Sequence, residues 1–230
     1  MPPNSVRALR RPLVVATGNA GKLREFRALL AELPFELFAL SELGIASPEE
    51  TGSSFLDNAM LKARHAAGAA LAAGVPGAEG GAVAAIADDS GLEVDALGGA
   101  PGILSARYAG VAADDAANNA KLLQALAGMC AEQRRARYRC ALVFVSGADD
   151  AAPLTAEAAW EGVIIDEPQG SGGFGYDPYF WLPELGLTAA QLPLADKSRL
   201  SHRGRALGAL RDRLAAREQI SARTPPAARL

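Results

Sequence analysis

The segment 82–91 constrains this chain more than any other. Ala82–Ala87 reads as an apolar, buried strand, and it passes directly into Asp88, Asp89, Ser90 and Gly91. Two adjacent acids beside a core are costly unless they are paired or bound to metal. The pattern places them at the strand's end, with Leu92–Leu97 as a hairpin partner. Hard oxygen ligands at a strand terminus suit Mg2+, which binds through one or two carboxylates and substrate phosphates. The ordinary alternative for the same residues is a solvated turn.

A buried strand needs cover, and the rest of the chain supplies it. Half of the 230 residues are hydrophobic and 21% are charged, so a sizeable core forms and global disorder is excluded. Alanine contributes 50 residues, so much of the apolar half is methyl groups on helix-favouring positions. Residues 12–17 read as a short buried strand. Leu23, Phe26, Leu29, Leu30 and Leu33 recur at helical spacing over 21–33. A second strand spans 35–40. Ser54 and Asp57 resemble a capping box opening a helix through Ala73, and 112–126 is helical. Residues 137–146 and 154–164 alternate as an antiparallel pair, and a last helix covers 198–216. Helices and strands mixed in this order predict an α/β protein on a mixed sheet. One domain, 12–217, is expected between flexible tails at 1–11 and 218–230.

Composition also excludes classes of function. A formal charge of −3 is wrong for a protein that coats nucleic acid. The longest stretch without Asp, Glu, Lys or Arg runs only from His65 to Ala78, whereas a membrane span needs about 20 apolar residues. No apolar run of the signal-peptide kind follows Arg7, Arg10 and Arg11. Cys130 and Cys140 lack metal-ligand spacing and read as thiols of a reducing cytoplasm.

Three further segments carry chemistry. Thr17, Gly18, Asn19, Ala20, Gly21 and Lys22 join a strand to a helix. Backbone N–H groups at a helix start, a flexible glycine and a lysine suit a phosphate group. An ordinary capped turn has the same composition. In 172–178, Phe174 lies between glycines, a platform on which a base can stack, and Asp177 can accept from ring N–H groups. The plain reading is a loop whose Phe and Tyr plug the core. Lys197, His202 and Arg203 cluster in the first turn of the last helix, where cations oppose the helix dipole. Such a conflict marks a site for an anion or a carbonyl-bearing base, or else a solvated basic face. Glu49 and Glu50, before the capped helix, offer another carboxylate or simple surface charge.

Together these segments resemble the Ham1/RdgB-type non-canonical purine nucleoside triphosphate pyrophosphatases, which include the inosine triphosphate pyrophosphatases. The marks are Thr17-x-Asn19-x-x-Lys22, Glu50-Thr51-Gly52 with Phe55, Asn58-Ala59-x-x-Lys62-Ala63, and Ala87 through Leu92. Gly99-Ala100-Pro101-Gly102 with Ser105 through Tyr108, Phe174 through Pro178, and Lys197-Ser198 with Ser201 through Gly204 complete them. The resemblance spans about Leu13 to Leu214, and Asp57 stands where the family commonly has Glu.

The resemblance implies an elongated α/β fold, with a long twisted mixed sheet flanked by helices and two lobes around a cleft, usually in a homodimer. It implies Mg2+ held by Glu50 and Asp89, with Asp89 as proton acceptor for the attacking water. It implies substrate contacts from the Thr17–Lys22 loop, with Lys22 on the triphosphate, and from Ser90. Phe174 would stack on the purine within the Phe174, Gly175, Tyr176 and Asp177 loop. Lys197, His202 and Arg203 would contact base, sugar or phosphate, and Lys62 and Arg107 would be further phosphate contacts. The implied reaction converts ITP, dITP or XTP to the monophosphate and pyrophosphate. Donors on Arg203 or His202 are expected to read the 6-oxo group against adenine. Two alternatives stand beside this one: a Maf-like pyrimidine nucleotide pyrophosphatase, and a nucleotide-binding sensor without turnover.

Overall fold

The computed structural model describes residues 10–223 apart from residues 32, 77, 79 and 80; the side chains of 218–223 are not described. The expected tails therefore lie outside the described residues at 1–9 and 224–230. Arg11 already belongs to a strand, and residues 218–223 continue the last helix.

Seven strands form one mixed sheet. β1 (Arg11–Val15) lies between β2 (Phe35–Ala39) and β3 (Ala84–Val94), parallel to both. Next come β4 (Arg135–Val145), β5 (Leu154–Ile164), β6 (Phe180–Leu182) and β7 (Leu187–Thr188), each antiparallel to its predecessor in the sheet. Helix α1 (Ala20–Leu30) links β1 to β2, and α2 (Phe55–Ala72) leads to β3. Helix α3 (Asp115–Ala125) precedes β4, and α4 (Leu194–Leu200) and α5 (His202–Arg223) close the chain.

Side chains alternate across a strand, so each face collects its own core. One face presents Ala85, Ala87, Ala141, Val143 and Val145 to α2, whose buried apolar residues are Ala59, Ala63, Ala66, Ala67 and Ala70. Methyl groups on both sides bring the α2 axis close to the strands. The other face presents Ile86, Cys140, Leu142 and Phe144 to Phe26 and Leu30 of α1 and to Ala206, Leu207 and Leu210 of α5. At the far end Leu92, Val94, Tyr138, Trp160, Tyr176 and Phe180 build a third, aromatic core.

The strand of the acid pair does not end at Ala87. It runs on to Val94, because β4 pairs with it continuously from Ala85↔Val145 to Val94↔Ala136. Leu92–Val94 therefore extend the same strand, and Asp95–Leu97 form a 3-10 turn rather than a hairpin partner. Period-two alternation then sends Asp88 and Asp89 to opposite faces of the sheet. β1 pairs with β3 only at Ala84–Ile86. Beyond that point β3 borders a cleft, with the 3-10 helix Gly102–Arg107 packed beside it. Gly91 has no room for a Cβ there, because the Gly102 carbonyl and the Ser105 side chain press on it. Ser105 also accepts a hydrogen bond from Leu92 N at 2.8 Å.

The single last helix is likewise two. The chain breaks at Ser201 (φ −68°, ψ 162°), whose hydroxyl caps α5 by accepting from Gly204 N at 3.2 Å. Lys197 therefore belongs to α4, while His202 and Arg203 open α5. Gly204 permits this corner, since a Cβ there would overlap the Ser198 carbonyl. Gly204→Ala should force α4 and α5 apart and cost about 1–3 kcal/mol, the usual range for overpacking, read as a lowered urea midpoint with unchanged slope.

Candidate active site

On the α1/α5 face of β3, the Asp88 carboxylate is 1% exposed. Its Oδ2 accepts from Arg203 Nε (3.1 Å), Arg203 Nη2 (3.0 Å) and Ser90 Oγ (3.1 Å), and meets Lys22 Nζ at 3.1 Å. Burial alone would raise the Asp88 carboxyl, but Lys22 and Arg203 outweigh it and hold it well below the usual carboxylate range. The second oxygen, Oδ1, is buried and has no hydrogen-bond partner among the described residues. Arg203 also donates through Nη1 to Glu25 and through Nη2 to Ser90 Oγ at 2.9 Å. Burial disfavours the guanidinium, yet Asp88 and Glu25 more than compensate and raise its pKa.

Glu25 extends the cluster to α4. Its carboxylate meets Lys197 Nζ at 3.3 Å, and that ammonium donates to Asp177 Oδ2 at 2.5 Å. Asp177 also accepts from Phe174 N (2.8 Å) and from the Tyr138 hydroxyl (3.2 Å), so its carboxylate fixes the glycine loop. Gly173 and Gly175, at φ +74° and +64°, supply the left-handed turns of that loop. The Phe174 ring is not held by backbone alone. It lies against Gly21, which has no space for a Cβ, and beneath Lys197 Nζ, 4.9 Å from its centroid. Tyr176 donates to Ser105 O at 2.8 Å, tying the loop to the 3-10 helix.

His202 is buried, with its ring stacked on Tyr138 at 4.8 Å and 11°. Burial, then Arg203 and Lys197, push its pKa well below 6.5. Lys197, His202 and Arg203 are therefore not three cations on one helix turn: the lysine is on another helix and the histidine is neutral.

A cavity of about 210 Å3 opens over this face. Asn19, Lys22, Ser90, Phe174, Gly175, Tyr176, Asp177, Lys197, His202 and Arg203 all line it. Thr17, Gly18, Ala20 and Gly21 do not; they shape the turn beside it. Thr17 Oγ1 accepts from Asn19 N at 3.1 Å, and Asn19 caps α1 by accepting from Lys22 N at 3.0 Å.

The opposite face of β3 carries a second cluster. Lys62 Nζ lies 2.7 Å from Asp89 Oδ1 and 2.5 Å from Glu50 Oε1, and Arg107 Nη1 meets Glu50 Oε2 at 2.5 Å. Asn58 donates to Asp89 Oδ2 at 3.2 Å while accepting from Gly52 N at 2.8 Å, which anchors the loop behind Glu50 to α2. Burial raises the Asp89 carboxyl, with Lys62 only partly opposing it. Burial also works against the Glu50 carboxylate, but Lys62 and Arg107 prevail and lower its pKa. No group of three or more His, Cys, Asp or Glu forms a metal-ligand set among the described residues. Glu50 and Asp89 nevertheless converge on one point charge, the Lys62 ammonium. Two hard carboxylates completed by water and phosphate oxygens make a donor set suited to Mg2+.

Glu25 escaped the sequence reading. Its signal was a carboxylate three residues after Lys22 on the helix face that carries Phe26 and Leu29. Asn58 and Tyr138 gave no such signal, since their partners come from distant elements.

This architecture defines a mixed-sheet α/β protein whose central strand separates an aromatic cavity from a carboxylate–lysine cluster. The Ham1 family model matches residues 13–213, and the chain belongs to the Ham1 family. It is 54% identical over 208 residues to the dITP/XTP pyrophosphatase of Methylococcus capsulatus, covering 90% of this chain and 98% of that one. It is 50% identical over 202 residues to the dITP/XTP pyrophosphatase of Escherichia coli (strain K12), covering 88% and 97%. A HAM1 protein from Coxiella burnetii superimposes with a TM-score of 0.77 at 41% identity, over 90% of this chain and 99% of its own. The Staphylococcus aureus Ham1 protein gives 0.74 at 38% identity, over 90% and 100%.

Asp88→Asn leaves Arg203 and Lys22 undercompensated and should cost about 3–5 kcal/mol at neutral pH. The depressed Asp88 pKa contributes stability above the unfolded value of about 3.9, and that contribution fades as pH falls toward the folded value. Urea denaturation across acid pH should therefore show the gap between wild type and variant narrowing below about pH 4.

Proposed function

We propose that this chain hydrolyses dITP, ITP and XTP to the nucleoside monophosphate and pyrophosphate, with Mg2+ as cofactor. The observation that carries the reading is the division of labour across β3. A base-sized aromatic cavity lies on one face and a lysine clasped by two carboxylates on the other, with the cleft edge between them.

In this reading the purine enters the cavity and stacks on Phe174, whose ring Gly21, Lys197 and the Asp177 loop keep in place. Lys22, at the cleft end of α1, meets the phosphate chain. Lys62 and Arg107 lie where the reacting phosphates cross to the Asp89 side. Water attacks the α-phosphorus, its proton passes to an Asp89 carboxylate oxygen, and the bond from the α-phosphorus to the bridging oxygen breaks to release pyrophosphate. Asn58 orients Asp89 by holding Oδ2. Glu50 and Asp89 would hold Mg2+, which when bound neutralises charge developing on the phosphate oxygens.

Charge balance supports the need for that ion. The two clusters contain five cations (Lys22, Lys62, Arg107, Lys197, Arg203) and five carboxylates (Glu25, Glu50, Asp88, Asp89, Asp177). A triphosphate arriving at a site of zero net charge must bring its own counter-charge. Arg203 has its Nε, Nη1 and Nη2 engaged by Asp88, Glu25 and Ser90, so its part in base recognition is to shape the cavity. We further place the catalytic unit at 12–217, acting as a homodimer in the cytoplasm; among the described residues no helix is long and apolar enough to cross a membrane.

Pyrophosphate release is the direct assay. With Mg2+, dITP and XTP should turn over far faster than dATP, dTTP or UTP; preferential hydrolysis of the pyrimidine nucleotides, or no release at all, refutes the assignment. Asp89→Asn should lower kcat by about 10²–10⁴-fold, the usual contribution of a general base, while nucleotide binding survives. Chelation of divalent ions should abolish turnover, and added Mg2+ should restore it.

A further inference from the structure

Among the described residues, Lys62 is the one side chain paired with both Glu50 and Asp89. The four oxygens of those two acids are unequally engaged. Glu50 Oε2 accepts from Arg107 Nη1 at 2.5 Å, and Asp89 Oδ2 accepts from Asn58 Nδ2 at 3.2 Å. The other two, Glu50 Oε1 and Asp89 Oδ1, meet at the Lys62 ammonium, 2.5 Å and 2.7 Å from it. Each acid thus has one oxygen fixed by a neighbour and one turned to a shared point charge. Asn58 stands one helical turn before Lys62 on the buried face of α2, so a single helix supplies both the clamp and the cation. The ammonium also lies 3.4 Å from the Asp88 carbonyl, and the lysine is largely buried.

A divalent cation held by Glu50 and Asp89 needs those same two oxygens. Mg2+ binds carboxylates at about 2.0–2.1 Å, so an ammonium within hydrogen-bond reach of both excludes it and repels it. Lysine is suited to yielding, because its charge rides on a flexible four-carbon stem. Arg107 and Asn58 keep their hold on the outer oxygens when the ammonium leaves, so the two acids stay aimed. A displaced ammonium in a largely buried place needs another anion. Nucleotide phosphate is the anion that the proposed activity brings.

We propose that Lys62 is a positioning residue that competes with the divalent cation for Glu50 and Asp89, and so couples cation binding to the arrival of nucleotide phosphate. Its ammonium holds the two carboxylates together until phosphate draws it away, and their oxygens are then free for the cation. Cation and nucleotide favour each other by the same factor whichever binds first. This rests on the pyrophosphatase reading for the metal ligands and the nucleotide.

Mg2+ is titrated calorimetrically into the full-length protein with and without inosine monophosphate. For the wild type, affinity for Mg2+ should rise at least about tenfold when the monophosphate is present, after correction for Mg2+ held by free nucleotide. Lys62→Met removes the competing charge. Without nucleotide it should bind Mg2+ at least about tenfold more tightly than the wild type, the scale of one charge removed at contact distance. Its further gain from the monophosphate should shrink. Lys62→Arg restores a cation and should return weak binding. Adding Glu50→Gln to Lys62→Met should cancel the gain.

A lysine that merely braces the fold moves the reading the other way. Mg2+ binding to Lys62→Met no tighter than to the wild type would overturn the proposal, as would a gain that survives Glu50→Gln. Equal wild-type affinities with and without the monophosphate would overturn it too, even if Lys62→Met failed to fold. Absence of pyrophosphate release from dITP and XTP would refute the enzymatic reading, while the Mg2+ affinities would still decide the role of Lys62.

Discussion

The structure depends on the burial of one guanidinium. Arg203 is 1% exposed, and an unpaired charge at that depth would be prohibitive. Asp88 from β3 and Glu25 from α1 make it tolerable, and each acid in turn holds a lysine. The chain of contacts continues through Lys197 to Asp177 and through Asp177 to Phe174 N. One connected polar network thus ties together the central strand, the first helix, both C-terminal helices and the glycine loop. The walls of the cavity are those same elements, so the cavity is as well determined as the network. Removing one member strands its partner, which is why such groups resist substitution more than their surface counterparts do.

The second organising constraint is the pleat of β3. Neighbouring acids on a strand cannot serve one site, and here they serve two. Asp88 faces the cations of the base cavity, and Asp89 faces Lys62 and Asn58 of α2. β1 ends early, so this stretch of β3 forms a cleft border rather than an interior strand. A ligand with a flat apolar part and a charged part can lie across that border with each part in its own environment. The alanine content supports this arrangement. The α2 positions packed on the sheet are alanines, and short side chains keep the helix near enough for Lys62 and Asn58 to reach Asp89.

Much of this was legible in the sequence where the signal was local. Helical spacing in 21–33, the Ser54 cap, the paired strands at 137–146 and 154–164 and the glycine-flanked Phe174 at 172–178 correspond to α1, α2, β4 with β5, and the Phe174 loop. Misreadings arose where a distant partner decided the outcome. Asp88 and Asp89 have turn propensity, and only pairing with β4 keeps them in a strand. Residues 198–216 carry apolar residues at helical spacing on both sides of Ser201, and the close contact of Gly204 with Ser198 accompanies the bend there. Lys197, His202 and Arg203 looked like three cations because a sequence carries charges without their environments.

The sequence by itself determined which residues gather: an acid pair behind an apolar run, a lysine at a helix start, an aromatic among glycines, and a Ser-His-Arg-Gly turn. It determined that the chain folds as a mixed α/β protein, because periodicity and caps are properties of neighbours. Tertiary structure alone decided how those groups divide. It set Asp88 against Arg203 and Asp89 against Lys62, silenced His202 by burial, and brought Glu25 into a role that no motif announces. The reason is physical. Propensity acts over a few residues, whereas protonation and pairing depend on desolvation and on charges supplied by elements far apart in the chain.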